Sequence, residues 1–584
     1  MLDAAARVGG SWVGALSRRR VISCIERVEV CLRGGCCAGK RLRQSGTRHT
    51  GCESVLARCP LIVPAMNGNA FGEETSDTML LMELTKLNTT RSDYLGLPDD
   101  VKSRTVEGFH GVSDAATTDE EEDRHIVDNS FSVAVGQYMS KQYRKTIVSA
   151  RDVLRKNDRG GYTVPTDGLY PFQWNWDASF TALGWSTWKP ERAWAELHML
   201  FKGQWDDGMI PSIVFHQYDD RYFPGPDTWQ SPKVDPPTTG ITQPPVVASC
   251  ARYILQVSQH GDEDVHLRGL RNAYTLFHPI LRYHRWFYKA RDHKKMGRVS
   301  IHHPWESGMD NSPSWDEALE HVSTDNLPNY QRKDLMHVDA DERPTQTQYD
   351  RFMSLVFSFR DVNYDYAQCA QVSQFQVADT CVNALLLKAN KDLAWICAKL
   401  ISHHKRLSLS LEELEALKSA QRELRELIDL SSRGMDSLWN DELGMYSCYD
   451  ERMDKLINVP TSSAFLALYA RHPDRVRARQ LADKLAHWLD QVKYGVPSYD
   501  PESPMFDSVR YWRGPVWLVV NWMIAEGLEA YEFFELAERV RRDSRALIKE
   551  AGSYEYFDPM TGEGCGGNCF SWTSAIQLFW FPDL

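Results

Sequence analysis

The chain has 584 residues, of which 42% are hydrophobic and 11% aromatic, and a formal net charge of −12. That length supports a large core and more than one unit of organisation. The acidic balance argues against a nucleic-acid partner, and no apolar run approaches the ~18–20 residues of a membrane span.

Residues 1–60 hold eleven Lys/Arg against four Asp/Glu, together with six of the thirteen Cys. They read as a basic leader, either organelle-targeting or simply unstructured. Residues 61–130 are polar and contain the run Asp119–Asp123 ("DEEED"), which reads as a solvated acidic linker. The seven remaining Cys are scattered and read as reduced core thiols, with the cytoplasm as the default location. Cys565 and Cys569 are the one pair with metal-binding potential, but no His/Cys set at finger spacing accompanies them.

From residue 131 to 584 the texture is helical. Apolar periodicity near 3.6 appears in "VGQYMSKQYRKTIVSARDVLRKN", in "PERAWAELHMLFKGQ" with Pro190 near its start, in "PPVVASCARYILQVSQ" and in "RNAYTLFHPILRYHRWFYKARD". It recurs through "VADTCVNALLLKANKDLAWICAKLI", "SLEELEALKSAQRELRELIDLSSRGMDSLW", "TSSAFLALYAR", "PDRVRARQLADKLAHWLDQ", "GPVWLVVNWMIAEGL" and "YEFFELAERVRRDSRALIKEA". With the stretches at Trp176 and Ser571 this gives roughly a dozen helices and few period-two runs. The expected fold is all-α, an α/α toroid whose alternate inter-helix loops gather at one end.

Those loops are long and rich in Trp, Gly, Pro and Asp, as functional loops in compact domains tend to be. Aromatic faces beside carboxylates suit a pyranose, whose apolar face stacks while its hydroxyls need polar partners. "YPFQWNWDASF" supplies Tyr170, Trp174, Trp176 and Asp177; "DDRYFPGPDTWQ" supplies Tyr222 and Trp229; "RYWRGPVW" supplies Tyr511, Trp512, Arg513 and Trp517. Any one alone is better explained by core packing; together they point to a carbohydrate pocket. Cleavage of a glycosidic bond needs two carboxyls flanking it. "HPWESGMDNSPSWD" offers Glu306, Asp310 and Asp316 for one, and "SYEYFDPMTGEG" offers Glu555 and Asp558 for the other. Asp316 is expected at a helix N-terminus and Asp558, before Pro559, in a turn. Asp310 and Glu555 have no such structural explanation.

The ordered set "WNWDASF", "QWDDGMIPSIVFH", "GITQPPVVA", "HPWESGMDNSPSWDEAL", "YDRF", "YWRGPVWLVVNW" and "YEYFDPMTGEG…FSWTSA" resembles glycoside hydrolase family 63, and most of all its mannosylglycerate and glucosylglycerate hydrolases, over roughly residues 133–584. The resemblance implies an (α/α)6 barrel with inserted loops forming a cap. It implies an inverting α-glycosidase that uses no cofactor or metal, acting on a small-molecule glycoside. Asp310 is the implied general acid and Glu555 the implied general base. Gly308 is expected to let substrate approach the backbone, and Trp305 to wall the pocket. Arg351, in "TQYDRFMSLV", matches the motif that contacts the glycerate carboxylate, with Tyr222 and Gln243 as further contacts. A neutral-saccharide α-glucosidase on the same scaffold is the main alternative. A terpenoid cyclase built on Asp206-Asp207 and a non-catalytic sugar-binding protein are more distant ones. Mannose or glucose at the non-reducing position, and a homo-oligomeric or monomeric state, stay open.

Overall fold

The computed structural model describes residues 150–325 and 327–584. The leader, the acidic linker and the first residues of the expected catalytic domain lie outside them. Among the described residues, twelve helical positions form two concentric rings. The first, outer position is residues 150–157, with Arg151 and Arg155 over the Trp188 ring. Inner α1 (Asn175–Ser186) is followed by outer α2 (Pro190–Phe201), and inner α3 (Val247–Ser258) by outer α4 (Glu263–Ala290). A long excursion carrying α5 (Gln346–Asp361) intervenes. Then come inner α6 (Thr380–Ser402) and outer α7 (Leu411–Asp436), and inner α8 (Leu466–Tyr469, entered through a 3-10 turn at Ser462–Phe465) with outer α9 (Arg475–Gln491). Inner α10 (Leu518–Ala530), outer α11 (Phe534–Ala551) and inner α12 (Ser571–Trp580) complete the set. Each inner helix packs on the next and α12 closes against α1, so the ring is an (α/α)6 toroid.

Burial follows from composition. All twelve residues of α1 are buried, as are nine of ten in α12, because these sequences are apolar or small on every face. Gly184 permits the closure of the ring, since a Cβ there would stand 2.5 Å from the Ala575 backbone. Outer helices show a single apolar stripe; in α11 only six of eighteen residues are buried. Several helices carry ordinary caps. Asp262 caps α4, Asp379 caps α6, Asp474 caps α9, and capping boxes open α5 (Thr345/Gln348) and α7 (Ser410/Glu413). Strands are short: β1 (Gln173–Trp174) pairs with β2 (Ile213–Val214), and β3 (Tyr554–Phe557) with β4 (Gly564–Asn568). The loops entering α1, α3, α6, α10 and α12 meet at one end of the toroid. The segment from His303 to α5 folds over them as a cap.

Candidate active site

The loop His303–Asp316 is a chain of tight local bonds. The ring Nδ1 of His303 accepts the Trp305 N–H at 3.0 Å, Ser307 Oγ accepts the Met309 N–H at 2.8 Å, and Trp315 Nε1 donates to the Met309 carbonyl at 2.7 Å. Gly308 sits at φ +70, where glycine is favoured. A Cβ there would reach the Trp176 ring at 2.6 Å. Gly308 lines the pocket, but its absent side chain makes room for Trp176 rather than for a ligand. Two of the three acidic side chains here are already committed. Glu306 is fully buried and paired with Arg291 at 2.6 and 3.2 Å; it also accepts the backbone N–H groups of His302 and Thr242. Asp316 opens the short helix Asp316–Glu320, as expected, and forms a bidentate pair with Arg513 of the opposite loop at 2.9 and 2.7 Å. Asp310 is left facing the cavity.

Glu555 lies in the β3–β4 hairpin, whose turn is tied by Asp558 accepting the Met560 N–H and the Thr561 hydroxyl. The Glu555 carboxylate is almost fully enclosed. Its Oε2 accepts the Gly567 N–H at 3.0 Å, and its Oε1 accepts the hydroxyls of Tyr170 and Tyr511 at 3.1 and 3.2 Å. Arg343 Nη1 stands 4.0 Å from the same oxygen and donates to the Tyr170 hydroxyl at 2.7 Å.

Between these two groups is a cleft that takes in about 970 Å³, open solvent included. Tyr170, Trp174, Trp176, Asp177, Tyr222, Gln243, Trp305, Gly308, Asp310, Tyr511 and Glu555 all line it. Gln243 also supports the wall: its Oε1 accepts the Trp176 N–H at 3.3 Å in the first turn of α1, where the Asn175 N–H donates to the Ser212 carbonyl. Four expected residues, Trp512, Arg513, Trp517 and Arg351, do not line the cavity. Trp512 lies behind the wall, stacked on Trp517 at 3.8 Å, with its backbone N–H held by Asn311. Arg351 sits on α5 while Tyr349 of the same helix lines the cavity. Two residues on, about 200° around the helix, a side chain leaves a different face. The buried guanidinium in the cavity is that of Arg343, 7% exposed. Sequence reasoning missed it because "DADERP" reads as a solvated charge run. Asp334, Tyr349, Trp572 and Phe570 also line the cavity and were missed. Asp206-Asp207 serves a turn, where Asp207 accepts the Met209 N–H and the Trp286 indole N–H.

Burial raises Asp310, Glu555 and Asp177, but their surroundings separate them, while Asp334, paired with Arg332 and Arg343, is lowered. Burial lifts Asp310 to about 7, opposed by Arg343 and reinforced by Glu555. Its one donor is its own backbone N–H, which leaves the neutral acid favoured near neutrality. Glu555 is also raised by burial, yet Arg343, the Gly567 N–H and the two tyrosine hydroxyls all favour its ionised form. Asp177, in the first turn of α1, is raised by burial and then by Glu555 and Asp310. Both Asp310 and Glu555 are raised, and they differ in their partners: Glu555 is held by the Gly567 N–H and two tyrosine hydroxyls, donors that Asp310 lacks. Among the described residues no group of three or more His, Cys, Asp or Glu is arranged to hold a metal ion, and no helix is long and apolar enough to cross a membrane. The seven described Cys are free thiols, all buried except Cys569, which is partly exposed.

Two carboxyls under aromatic walls, at one end of an (α/α)6 toroid, are an arrangement that suits hydrolysis of a glycosidic bond. Residues 170–573 match the family described as the mannosylglycerate hydrolase MGH1-like glycoside hydrolase domain. Mannosylglycerate hydrolase MGH1 of Selaginella moellendorffii is 43% identical over 78% of this chain and 93% of its own length. The mannosylglycerate hydrolase of Thermus thermophilus is 46% identical over 74% of this chain and all of its own length. The crystal structure of a GH63 mannosylglycerate hydrolase from Thermus thermophilus in complex with Tris and D-glycerate superposes with a TM-score of 0.68 at 45% identity, covering 74% of this chain and 99% of that one. The chain belongs to this family of glycoside hydrolases.

Proposed function

We propose that the chain hydrolyses the α-glycosidic bond of mannosylglycerate, glucosylglycerate or both, with inversion, giving the hexose and glycerate. The observation that carries this is the placing of two carboxyls in one aromatic-walled cavity, Glu555 held by the Tyr170 and Tyr511 hydroxyls and the Gly567 N–H, and Asp310 without a side-chain donor. Asp310 gives its proton to the glycosidic oxygen as the bond to the anomeric carbon breaks. Glu555 takes a proton from the water that attacks that carbon from the other face. Asp177 is the acceptor for sugar hydroxyls, and Trp176 and Trp572 are its walls. The relatives named for glycerate-linked sugars fit the buried cation of the cavity. Arg343 engages Asp334 through Nε and Tyr170 through Nη1, and among the described residues its Nη2 has no hydrogen-bond partner. We assign the glycerate carboxylate to Arg343, with Tyr222 and Gln243 beside it, in place of Arg351. The free buried thiols suit a reducing compartment, so we place the enzyme in the cytoplasm.

The test is product analysis by NMR on mannosylglycerate, glucosylglycerate and trehalose side by side, which reports substrate choice and anomeric outcome together. Retention of configuration, or a preference for trehalose, would overturn the reading. The cation is tested by comparing glucosylglycerate with glucosylglycerol, whose aglycone lacks the carboxylate. Arg343→Ala should erase most of the wild-type preference, a charge-assisted bond contributing ~10–150-fold. Arg351→Ala should keep the preference within about threefold, as expected of a side chain away from the ligand.

A further inference from the structure

Arg343 reaches the base from the cap, and the cap segment that carries it is braced at several points. Arg332 holds Asp334 through two bonds, Nε to Oδ1 at 3.1 Å and Nη2 to Oδ2 at 2.6 Å. Its remaining nitrogen, Nη1, donates to the Pro344 carbonyl at 2.8 Å, so Arg332 ties together both ends of the stretch 332–344. Asp334 in turn accepts from Arg343 Nε at 3.4 Å. The residue before Arg343 docks on the base hairpin itself: Glu342 Oε2 accepts the Gly566 N–H at 2.9 Å, and its carbonyl accepts the Tyr556 hydroxyl at 2.9 Å. Arg343 is therefore oriented from two sides, by Asp334 along its guanidinium and by Glu342 along its backbone.

We propose that Asp334, braced by Arg332, is a positioning residue that aims Arg343 at Tyr170 and the base Glu555, so that seating the cap segment readies the base. The groups around Glu555 come from every neighbouring element. Tyr170 precedes β1, Tyr511 lies in the loop before α10, the Gly567 N–H belongs to β4, and Tyr556 follows Glu555 in β3. Asp177 from α1 and Asp310 from the acid loop add two like charges when ionised. Arg343 is the one cation within 4.0 Å of the carboxylate among the described residues. With Arg343 turned away, burial and the two acids dominate, and a protonated Glu555 cannot accept a proton from water. This inference rests on the reading of Glu555 as base; it does not depend on which aglycone the enzyme takes.

The two ways in which Asp334 could act have opposite signs, which makes the idea testable. As a bare negative charge, Asp334 would hinder ionisation of Glu555, and removing it would ease proton loss. As the residue that aims Arg343, its removal withdraws a cation and hinders proton loss. The experiment measures kcat/KM against pH for α-mannosyl or α-glucosyl fluoride, whose leaving group needs no proton, so the acidic limb reports the base. Asp334→Asn should move that limb to higher pH by about one unit, as expected for loss of an opposite charge near a carboxylate. Asp334→Glu should restore part of the shift, and Arg332→Gln, which leaves the Asp334 carboxylate in place, should move the limb in the same direction. A limb that stays put or moves to lower pH in folded Asp334→Asn overturns the proposal. If that variant does not fold, the same outcomes in Arg332→Gln decide. Glu555→Ala run alongside separates the two readings. Residual near-normal turnover there would sink the base assignment; an inactive Glu555→Ala with an unmoved limb in Asp334→Asn sinks only the positioning role.

Discussion

Asp310 is held at about 7 where the free side chain titrates at 3.8. At pH 7 this keeps roughly half the molecules with a protonated acid, against about one in a thousand for an unshifted carboxyl, a gain of ~10³ in competent enzyme. The profile of kcat/KM for a glycosylglycerate should therefore carry a basic limb with its midpoint near 7, since kcat/KM reports the free enzyme. The perturbation that isolates the acid is a change of leaving group. Fluoride departs from an α-glycosyl fluoride without a proton, so the same enzyme should show no basic limb on that substrate. Asp310→Ala should then lose ~10²–10⁴-fold on the glycoside while staying within about tenfold of wild type on the fluoride. Stopped assays by NMR or a fluoride electrode measure both. A basic limb that persists with fluoride, or an Asp310→Ala variant that fails equally on both substrates, would refute the assignment.

Three further outcomes are expected. Glu306→Ala leaves Arg291, 5% exposed, without its partner; breaking such a pair costs about 3–5 kcal/mol, which for a domain of about 430 residues lowers the apparent Tm by about 3–5 °C, and an unchanged melting curve would contradict it. Asp310 binds its proton more tightly folded than unfolded, so the stability it contributes is complete below its unfolded value of 3.8 and is lost as pH rises through about 7. Asp310→Asn has no such loss, and its Tm should exceed that of wild type increasingly from about pH 4 to 8, reaching about 2–4 °C after allowance for partial exposure. A chain beginning at Asp128 should hydrolyse substrate at the full-length rate; a folded but inactive product would place part of the leader or linker within the enzyme.

The toroid was legible because its inner and outer helices leave different marks on the sequence. The all-round apolar "LVVNWMIAEGLEA" of α10 and the striped "FELAERVRRDSRALIKEA" of α11 differ as a buried ring and its outer layer must. The inner position before α9 was legible only as a longer helix than exists; "TSSAFLALYAR" divides into a 3-10 turn and one α-turn. Asp310 and Glu555 stood out because no cap or turn explained them, and both face the cavity. Arg343 was hidden for the opposite reason. A cation among acids in a polar stretch has an ordinary explanation, and only the cap's folding back across some 170 residues of sequence to Tyr170 gives it another. Arg351 was attractive by motif, but its position on α5 is set by helical phase, which a four-residue match does not encode.

The charges of the cavity make sense only together. Asp177, Asp310 and Glu555 share one enclosed space, and three ionised carboxylates there would repel one another and any anionic aglycone alike. Arg343 favours ionisation of both Glu555 and Asp310, and it stands 4.0 Å from Glu555. Asp310, with no side-chain donor, is the group left to carry a proton, which is the form a general acid requires. The same neutrality removes a negative charge from the side of the scissile bond where the aglycone oxygen is protonated, and so from the neighbourhood of a glycerate carboxylate bound there. A raised carboxyl pKa and tolerance of an anionic leaving group are thus two consequences of one arrangement, a buried carboxyl without the hydroxyl and N–H donors that Glu555 receives. The glycoside and fluoride pH profiles read these consequences separately, because the fluoride needs neither the proton nor room for the glycerate charge.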